Sequence, residues 1–313
     1  DMSDKVENFP KIQVIMSTYN GEEYIAEQIK SIFNQKDCDI KLLVRDDGST
    51  DSTVSIIENM KKKYPIKVIN GRNLKPAKSF LKALRLSDTD VDYYAFSDQD
   101  DVWKDEKISR AINKIKHEEN SNMILYTGNL CAVDKKLNVL KQQLLPESID
   151  FDYKILISHS SKLFGCTMVF NKNLRNYICN NSSSDAIMHD LWLGILASLK
   201  GKIIYDSLPF IYYRQHDDNQ VGSQLTFKEK MQNRVSFLKG NNKGNIARQA
   251  KEIYEIIKKD DEIPEDIKEY TKMVADYNIS IKNKLKYLKE VKKSDLSLKQ
   301  WVFHVILILQ GNL

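Results

Sequence analysis

The first hundred residues alternate between short apolar runs and segments whose apolar residues recur every three or four positions. The apolar runs predict strands at residues 12–16, 40–44, 66–69 and 93–97. Continuous apolar strands separated by helices of period 3.6 are typical of a mostly parallel sheet that is covered on both faces. The sequence therefore predicts an α/β fold, a mixed and mostly parallel sheet flanked by helices.

The second half of the chain divides into a continuation of this fold and a charged helical region. We place an α/β catalytic domain at residues 10–222 and a helical C-terminal extension at residues 223–313. Within the first of these, further predicted elements are a helix after residue 104, strands at 123–127 and 167–170, a helix at 190–199, and short strands at 202–205 and 210–213.

Polar clusters follow three of the predicted strands, at the point where each strand ends. They are Ser17-Thr18-Tyr19-Asn20, Asp46-Asp47-Gly48-Ser49 and Asp98-Gln99-Asp100-Asp101. Right-handed crossovers place the carboxyl ends of parallel strands on one edge of a sheet, where open α/β folds bind ligands. The sequence therefore predicts a single site built from these three loops.

The cluster at 98–101 is the candidate metal site. Carboxylates spaced by one residue at a strand end can share a hard divalent cation, and phosphate oxygens can complete its coordination. The alternative is an acidic turn that caps the next helix. The position after a strand and beside two other polar loops favours the metal site.

The pair Asp46 and Asp47 is open to two interpretations. A carboxylate here is well placed to accept hydrogen bonds from a nucleobase N–H or a ribose hydroxyl, whereas Asp-Gly is also a common turn before a helix. The chain contains neither GxGxxG nor GxxxxGK[ST], so a dinucleotide-binding Rossmann site or a P-loop is not supported.

Three residues further along complete the set of candidates. Asp190 opens a predicted helix and is either a general base or a helix cap. Arg214 follows a predicted strand and is a candidate phosphate partner. His216 is a candidate neutral metal ligand, although a lone histidine is more often structural.

The charge distribution bears on partners. Residues 223–313 carry 18 Lys/Arg and 12 Asp/Glu, a balance of +6 in a chain of net charge +5. A nucleic-acid-binding core would line its own groove with basic residues, so we expect no nucleic-acid partner. The lysine-rich end and the apolar stretch at 301–309 predict contact with a membrane surface, or else packing on the catalytic domain or on a second subunit in a homo-oligomer. A polar N-terminus and the lack of a spanning segment predict a cytoplasmic protein, either free or peripheral on the inner face of the plasma membrane.

Six segments, read in order, resemble glycosyltransferase family 2, the inverting enzymes with the GT-A fold. They cover about residues 11–222 and read IQVIMSTYNGEEYIAEQIKSIFNQ, LLVRDDGSTDST, YYAFSDQDDVW, FGCTMVFNK, MHDLWLGILASLKGKIIYD and YRQHDDNQVG. The last three resemble bacterial rhamnosyltransferases that build streptococcal rhamnose-rich polysaccharides.

For the donor, the resemblance implies that Ser17 and Tyr19 line the nucleoside. Asp47, together with Asp46, matches the position that reads the base. Asp98 and Asp100 match the DxD pair that holds Mg²⁺ or Mn²⁺ and the donor diphosphate. Because Asp101 follows, the choice of two metal ligands among three carboxylates stays open.

For the reaction, the resemblance implies that Asp190 is the catalytic base and that His216 lies toward the metal or diphosphate. It further implies dTDP-β-L-rhamnose as the donor and a lipid-linked saccharide as the acceptor.

A UDP-hexose or UDP-N-acetylhexosamine donor is the alternative within the same mechanism. A non-catalytic nucleotide-sugar-binding module is the alternative outside enzymes. A nucleotidyltransferase is disfavoured, because residues 17–23 lack a glycine-rich basic loop.

Overall fold

A computed structural model of the chain describes residues 9–118, 122–158, 162–181, 186–215, 244–291 and 298–311. The chain forms two compact units. The first consists of Asp1–Asp150, Lys162–Ser182 and Met188–His216, and the second of Phe151–Ser161, Ser183–Ile187 and Asp217–Leu313. The predicted boundary between residues 222 and 223 lies outside the described residues and stays a prediction.

The first unit is built around a mixed sheet, and its strands are numbered in chain order. They are β1 (Lys11–Thr18), β2 (Asp39–Asp46), β3 (Ile66–Asn70), β4 (Tyr93–Ser97), β5 (Val102–Trp103), β6 (Ile124–Val133), β7 (Val139–Lys141), β8 (Val169–Asn171) and β9 (Lys202–Arg214). Their spatial order is β3-β2-β1-β4-β8-β6-β9-β5, and β7 pairs with β6. The pairs β3–β2, β2–β1, β1–β4 and β6–β9 are parallel, and β8, β7 and β5 pair antiparallel. The predicted mixed, mostly parallel sheet is confirmed.

The parallel register brings the predicted loops together. Ser17 lies beside Arg45, and Met16 lies beside Ser97, so β1, β2 and β4 end at the same level of the sheet. Five consecutive residues of β1 are buried, and all ten residues of β6 are buried. This is the pattern expected of strands covered on both faces.

Six helices belong to the described part of the first unit. They are α1 (Ile25–Phe33), α2 (Thr53–Met60), α3 (Pro76–Arg85), α4 (Lys107–Lys116), α6 (Lys172–Asn180) and α7 (His189–Lys200). On α1, Ile25, Ile29 and Ile32 are buried at the i, i+4, i+7 spacing of one helix face. They join a cluster of aliphatic side chains from the parallel strands, which forms the core beneath the site.

One strand prediction is wrong. The sequence suggested two short strands at 202–205 and 210–213, whereas β9 runs unbroken from Lys202 to Arg214. Its pairing with β6 shifts register at Gly128/Asn129, opposite Asp206 and Pro209. Proline has no backbone N–H to donate, so it is tolerated in a strand at such an irregularity. The proline reads in the sequence as a break, but the strand accommodates it as a bulge.

The second unit is helical in its described residues. Its helices are α5 (Tyr153–Ser158), α8 (Asn245–Ile257), α9 (Glu265–Ala275), α10 (Ile281–Glu290) and α11 (Leu298–Gln310). Buried tyrosines link them: the Tyr270 hydroxyl donates to the Ser158 hydroxyl at 3.1 Å, and the rings of Tyr277 and Tyr287 lie 5.9 Å apart. Among the described residues, none of the helices has the length and apolar character needed to cross a bilayer.

Candidate active site

The loops after β1 and β2 are joined by short hydrogen bonds. Asn20 accepts the backbone N–H of Thr50 at 2.9 Å and gives its own N–H to the hydroxyl of Ser49 at 2.9 Å. The N–H of Gly21 donates to the hydroxyl of Thr53, the first residue of α2, at 2.8 Å. The two polar clusters therefore form one rigid wall of the site.

Gln99 joins the third loop to the first. Its amide oxygen accepts the Thr18 hydroxyl at 2.6 Å and the Tyr19 N–H at 2.9 Å, and its amide nitrogen donates to the Tyr19 carbonyl at 3.2 Å. A Cβ on Gly21 would lie 2.5 Å from the Gln99 amide oxygen, so a larger residue there would displace the Gln99 side chain from these hydrogen bonds. Sequence reasoning treated Gln99 as a spacer between carboxylates, but it holds the loops together.

The carboxylate of Asp46 is used within its own turn. It accepts the N–H groups of Gly48 and Ser49 at 3.0 and 2.9 Å and the Ser49 hydroxyl at 2.5 Å. This is the turn interpretation of the Asp-Gly sequence, and it shapes the loop. The predicted contact between Asp46 and a nucleobase stays a prediction.

Asp47 is the centre of a buried polar network under the first loop. Its carboxylate pairs with the guanidinium of Arg45 and accepts the N–H groups of Leu74 and Lys75 at 2.9 Å. Arg45 and Asp47 are 1% and 4% exposed in their side chains. Arg45 also donates to the Ser79 hydroxyl at 2.7 Å, which in turn receives the hydroxyl of Ser17 at 2.6 Å. Two residues predicted to contact the nucleoside, Ser17 and Asp47, are thus held by one arginine that sequence reasoning missed.

We expect Arg45→Met to lower the free energy of unfolding by about 3–5 kcal/mol, because it leaves the Asp47 charge buried without its partner. A matched control on the same strand is Lys41→Met, whose surface pair with Asp88 at 3.2 Å is half-exposed. That substitution should cost less than about 1 kcal/mol. Chemical denaturation of both variants is the measurement, and equal losses would contradict the assigned role of Arg45.

The carboxylates after β4 lie at different depths. Asp98 and Asp100 are half-buried, whereas Asp101 is fully buried and accepts the backbone N–H of Arg214 at 3.2 Å. Ligand atoms of Asp98, Asp101 and Cys166 all lie within 4.8 Å of one another. Burial, then the charges of Asp101 and Asp98, hold the pKa of the Cys166 thiol well above its usual range. A protonated thiol is a poor ligand for a hard cation, so the carboxylates are the groups here that suit Mg²⁺ or Mn²⁺.

The crowding of negative charge at Asp98 is consistent with a cation site. Burial, and then the neighbouring charges of Asp100 and Asp190, raise the pKa of Asp98 to about 7. Asp101 has one carboxylate oxygen buried with no hydrogen-bond partner among the residues that the structure describes. A divalent cation would relieve the repulsion among these carboxylates. Which two of the three carboxylates bind it stays open.

Lys107, which was not predicted, lies behind this cluster. Its side chain is buried at the start of α4, and its ammonium group sits 3.7 Å from the centre of the Trp103 ring. Burial lowers the pKa of Lys107 to about 7, against the opposing influence of Cys166 and Asp101. Lys107 therefore lies close enough to Asp101 and Cys166 to interact with both electrostatically.

Arg214, the predicted phosphate partner, is bonded to the protein itself. Its guanidinium donates to the Asp100 carbonyl at 2.9 Å, to the Lys135 carbonyl and to the carboxylate of Glu27, and it faces the Tyr24 ring at 4.5 Å. The Arg214 side chain is only 2% exposed, so contact with a diphosphate would require this guanidinium to become more accessible. The role of Arg214 stays a prediction, and His216 lies outside the described residues.

Asp190 lies in the first turn of α7 and is half-buried. Met188 is the residue that caps the helix, and an oxygen of Asp190 accepts the N–H of Leu191 at 2.7 Å. Burial raises the pKa of Asp190 to about 6, against backbone hydrogen bonds from Leu191 and Gly165 that lower it. A partly desolvated carboxylate with a pKa near neutrality has the property that a general base needs.

His189 anchors this turn in the core. Its ring stacks on Phe80 with centroids 4.0 Å apart and meets the edge of Phe96 at 5.0 Å. Burial lowers the pKa of His189 to about 3, so the imidazole is neutral. Gly165 packs directly against its Nε2, where a Cβ would clash. The histidine is therefore an aromatic packing residue that fixes the position of Asp190.

The sheet is mostly parallel, and linked loops and a cluster of carboxylates lie at the ends of its strands. This arrangement, followed in the chain by a helical region, defines a GT-A glycosyltransferase fold. The sequence profile described as Glycosyl transferase family 2 matches residues 13–175. The chain belongs to this family and is a glycosyltransferase.

Relatives and solved structures agree with the family. The chain is 36% identical to the dTDP-rhamnosyl transferase RfbG of Shigella flexneri over 233 residues, which is 69% of this chain and 76% of that protein. Its structure resembles S. aureus TarS 1–349 in complex with UDP-GlcNAc, with a TM-score of 0.56, 20% identity, and coverage of 97% of this chain and 82% of that one. It also resembles the mannosyltransferase PcManGT from Pyrobaculum calidifontis in complex with GDP-Man and Mn²⁺, with a TM-score of 0.50, 16% identity, and coverage of 97% and 79%.

Proposed function

We propose that this glycosyltransferase moves L-rhamnose from dTDP-β-L-rhamnose to a lipid-linked saccharide acceptor, with inversion, in cell-wall or capsular polysaccharide synthesis. The observation that carries the donor assignment is the 36% identity to a dTDP-rhamnosyl transferase across 69% of the chain. The solved structures are too distant in sequence to bear on the sugar. The lipid-linked acceptor rests on the resemblance of the last three segments to the rhamnosyltransferase branch.

The proposed reaction is one displacement at the anomeric carbon. Asp190 takes the proton from the acceptor hydroxyl as that oxygen forms its bond to the sugar. The bonding pair of the sugar–phosphate bond leaves with the nucleoside diphosphate on the opposite face. A β-linked donor then gives an α-L-rhamnoside. One residue, held at the start of α7 by His189, supplies the only proton acceptor that the step requires.

The leaving diphosphate gains negative charge, and a cation held by the carboxylate cluster would neutralise that charge. Asp98 and Asp100, the half-buried carboxylates after β4, would hold Mg²⁺ or Mn²⁺. When bound, the cation would neutralise the diphosphate as a Lewis acid. The linked loops at Tyr19 and Asp47 would hold the nucleoside beside it, and their rigidity keeps the donor in one orientation.

A donor panel tests this proposal. Purified chain is incubated with a lipid-linked saccharide, a divalent cation and one nucleotide sugar at a time: dTDP-β-L-rhamnose, UDP-glucose, UDP-galactose or UDP-N-acetylglucosamine. We expect release of dTDP and extension of the acceptor with the rhamnose donor. Turnover confined to the UDP-sugars would overturn the donor assignment while leaving the family intact.

The pKa of Asp190 predicts the acid side of the pH profile. Because burial raises this pKa to about 6 and the base must be ionised, kcat should be level above pH 7 and fall about tenfold per pH unit well below pH 6. Initial rates at saturating donor between pH 4.5 and 8.5 give the profile. A rate that stays flat down to pH 4.5 would show that Asp190 is not the group that titrates.

A further inference from the structure

The last two helices of the second unit, α10 and α11, pack on each other, and each has an exposed face. The Tyr287 and His304 rings lie 6.2 Å apart, and the ammonium group of Lys284 donates to the Leu309 carbonyl at 2.9 Å. These contacts hold the two helices as a hairpin with a buried seam. The outer side of this hairpin is the side that faces away from the seam.

Apolar side chains stand exposed along the outer side. On α11, Val302, Ile306 and Leu309 are 44%, 39% and 54% exposed and follow the i, i+4, i+7 spacing of one helix face. On α10, Ile281 and Leu285 are 77% and 52% exposed at i, i+4. Large aliphatic residues grouped in this way mark a surface that meets another apolar body.

Lysines run beside the apolar residues of α10. Lys282, Lys286 and Lys289 are exposed and lie at i, i+4, i+7, next to the stripe of Ile281 and Leu285. No acidic residue interrupts α10 before Glu290, its last residue. The outer side of the hairpin therefore combines an apolar stripe with a stripe of positive charge.

The combination of apolar and positively charged residues favours one of two partners for this face, a lipid bilayer, over the other, a second copy of the chain. A second copy of the chain in a two-fold dimer would bring the same patch against itself, and the lysine stripes would repel each other. A bilayer containing anionic lipid offers apolar interior for the aliphatic side chains and negative headgroups for the lysines. At 13 residues, α11 is about 20 Å long, which is shorter than the hydrocarbon core of about 30 Å, so it suits a position in the interface rather than across the membrane.

We propose that the exposed face of α10 and α11 binds the surface of an anionic lipid bilayer. This goes beyond sugar transfer, because the binding needs neither donor nor acceptor. It would bring the enzyme to the membrane in which a lipid-linked acceptor resides. The lysines would reach the headgroups while Ile281, Leu285 and Ile306 enter the acyl boundary.

Vesicle flotation of the full chain, without nucleotide or sugar, tests the proposal. Wild type should float with vesicles of phosphatidylcholine containing one-third phosphatidylglycerol and not with pure phosphatidylcholine. The triple variant Lys282→Gln, Lys286→Gln, Lys289→Gln should bind about a hundredfold more weakly, since each lysine near such a surface contributes about fivefold. The matched control removes the same charge from the exposed run Lys61, Lys62 and Lys63, and it should bind as wild type does.

A second set of variants tests the apolar stripe. Ile281→Ser with Leu285→Ser and Ile306→Ser should abolish flotation on the same vesicles. The control is Val139→Ser with Leu140→Ser, since these residues are also exposed but lie on β7 in the first unit. Wild type that fails to float with phosphatidylglycerol vesicles would overturn the proposal. So would a wild-type dimer, seen by sedimentation, that the triple serine variant dissociates. A failure here leaves the donor panel unaffected, so the two proposals can fail separately.

Discussion

Asp190→Asn should lower kcat by about 10²- to 10⁴-fold and leave donor binding nearly unchanged. The amide fills the same space at the start of α7 and still accepts the Leu191 N–H, but it cannot take a proton from the acceptor. Steady-state rates with saturating acceptor measure the loss, and calorimetry with the donor measures the binding. A lower kcat with unchanged donor binding indicates loss of the base, whereas weaker donor binding indicates a damaged site.

The control for this substitution is Asp105→Asn, which removes an exposed carboxylate paired with Lys36 at 3.5 Å. We expect it to behave as wild type in both assays. If Asp190→Asn retained most of the wild-type kcat, the proton would have to leave by another route, and the assignment of Asp190 would fail.

Asp98→Asn should lower kcat/KM by about 10³-fold, because the residue belongs to the cluster that would hold the cation against the donor diphosphate. We expect the same variant to lose the dependence of donor affinity on added Mn²⁺. Donor titrations with and without the metal give this directly. A variant that binds donor and Mn²⁺ as wild type does would remove Asp98 from the metal site.

Asp101→Asn is the informative companion to that variant. Asp101 is fully buried and bonded to the Arg214 N–H, so its loss should lower the unfolding midpoint more than it lowers metal affinity. The opposite pattern would place Asp101 among the metal ligands. Measuring metal affinity and stability for the Asn variants of Asp98, Asp100 and Asp101 identifies which two of them bind the metal.

The sheet was predictable because its signal is local. Each of β1 to β4 is a mainly apolar segment that ends in polar residues, and the parallel register of β1, β2 and β4 places those ends together. The unbroken β9 was not predictable, because Pro209 looks like a break unless the bulge against β6 is known. Residues 127–163 gave no clear period, and within them β6 extends to Val133.

The candidate site was likewise predictable only in part. The pattern of the loops indicated Asp98, Asp47 and Asp190, but it did not indicate which buried residues hold these side chains in position. Arg45 sits inside a buried strand and pairs with a residue only two positions away, so its role depends on the fold around it. Lys107 and Cys166 lie far apart in the chain, and only the fold brings both of them close to Asp101. Buried charged residues within otherwise apolar or amphipathic elements are the one signal that would have drawn attention to Arg45 and Lys107.

The anomeric configuration of the product tests the central claim most directly. Proton NMR of the first product formed from dTDP-β-L-rhamnose, before any further reaction, gives the configuration of the new bond. A single displacement assisted by Asp190 predicts an α-L-rhamnoside. A β-linked product would mean that configuration is retained, and it would contradict the mechanism in which one carboxylate deprotonates the acceptor.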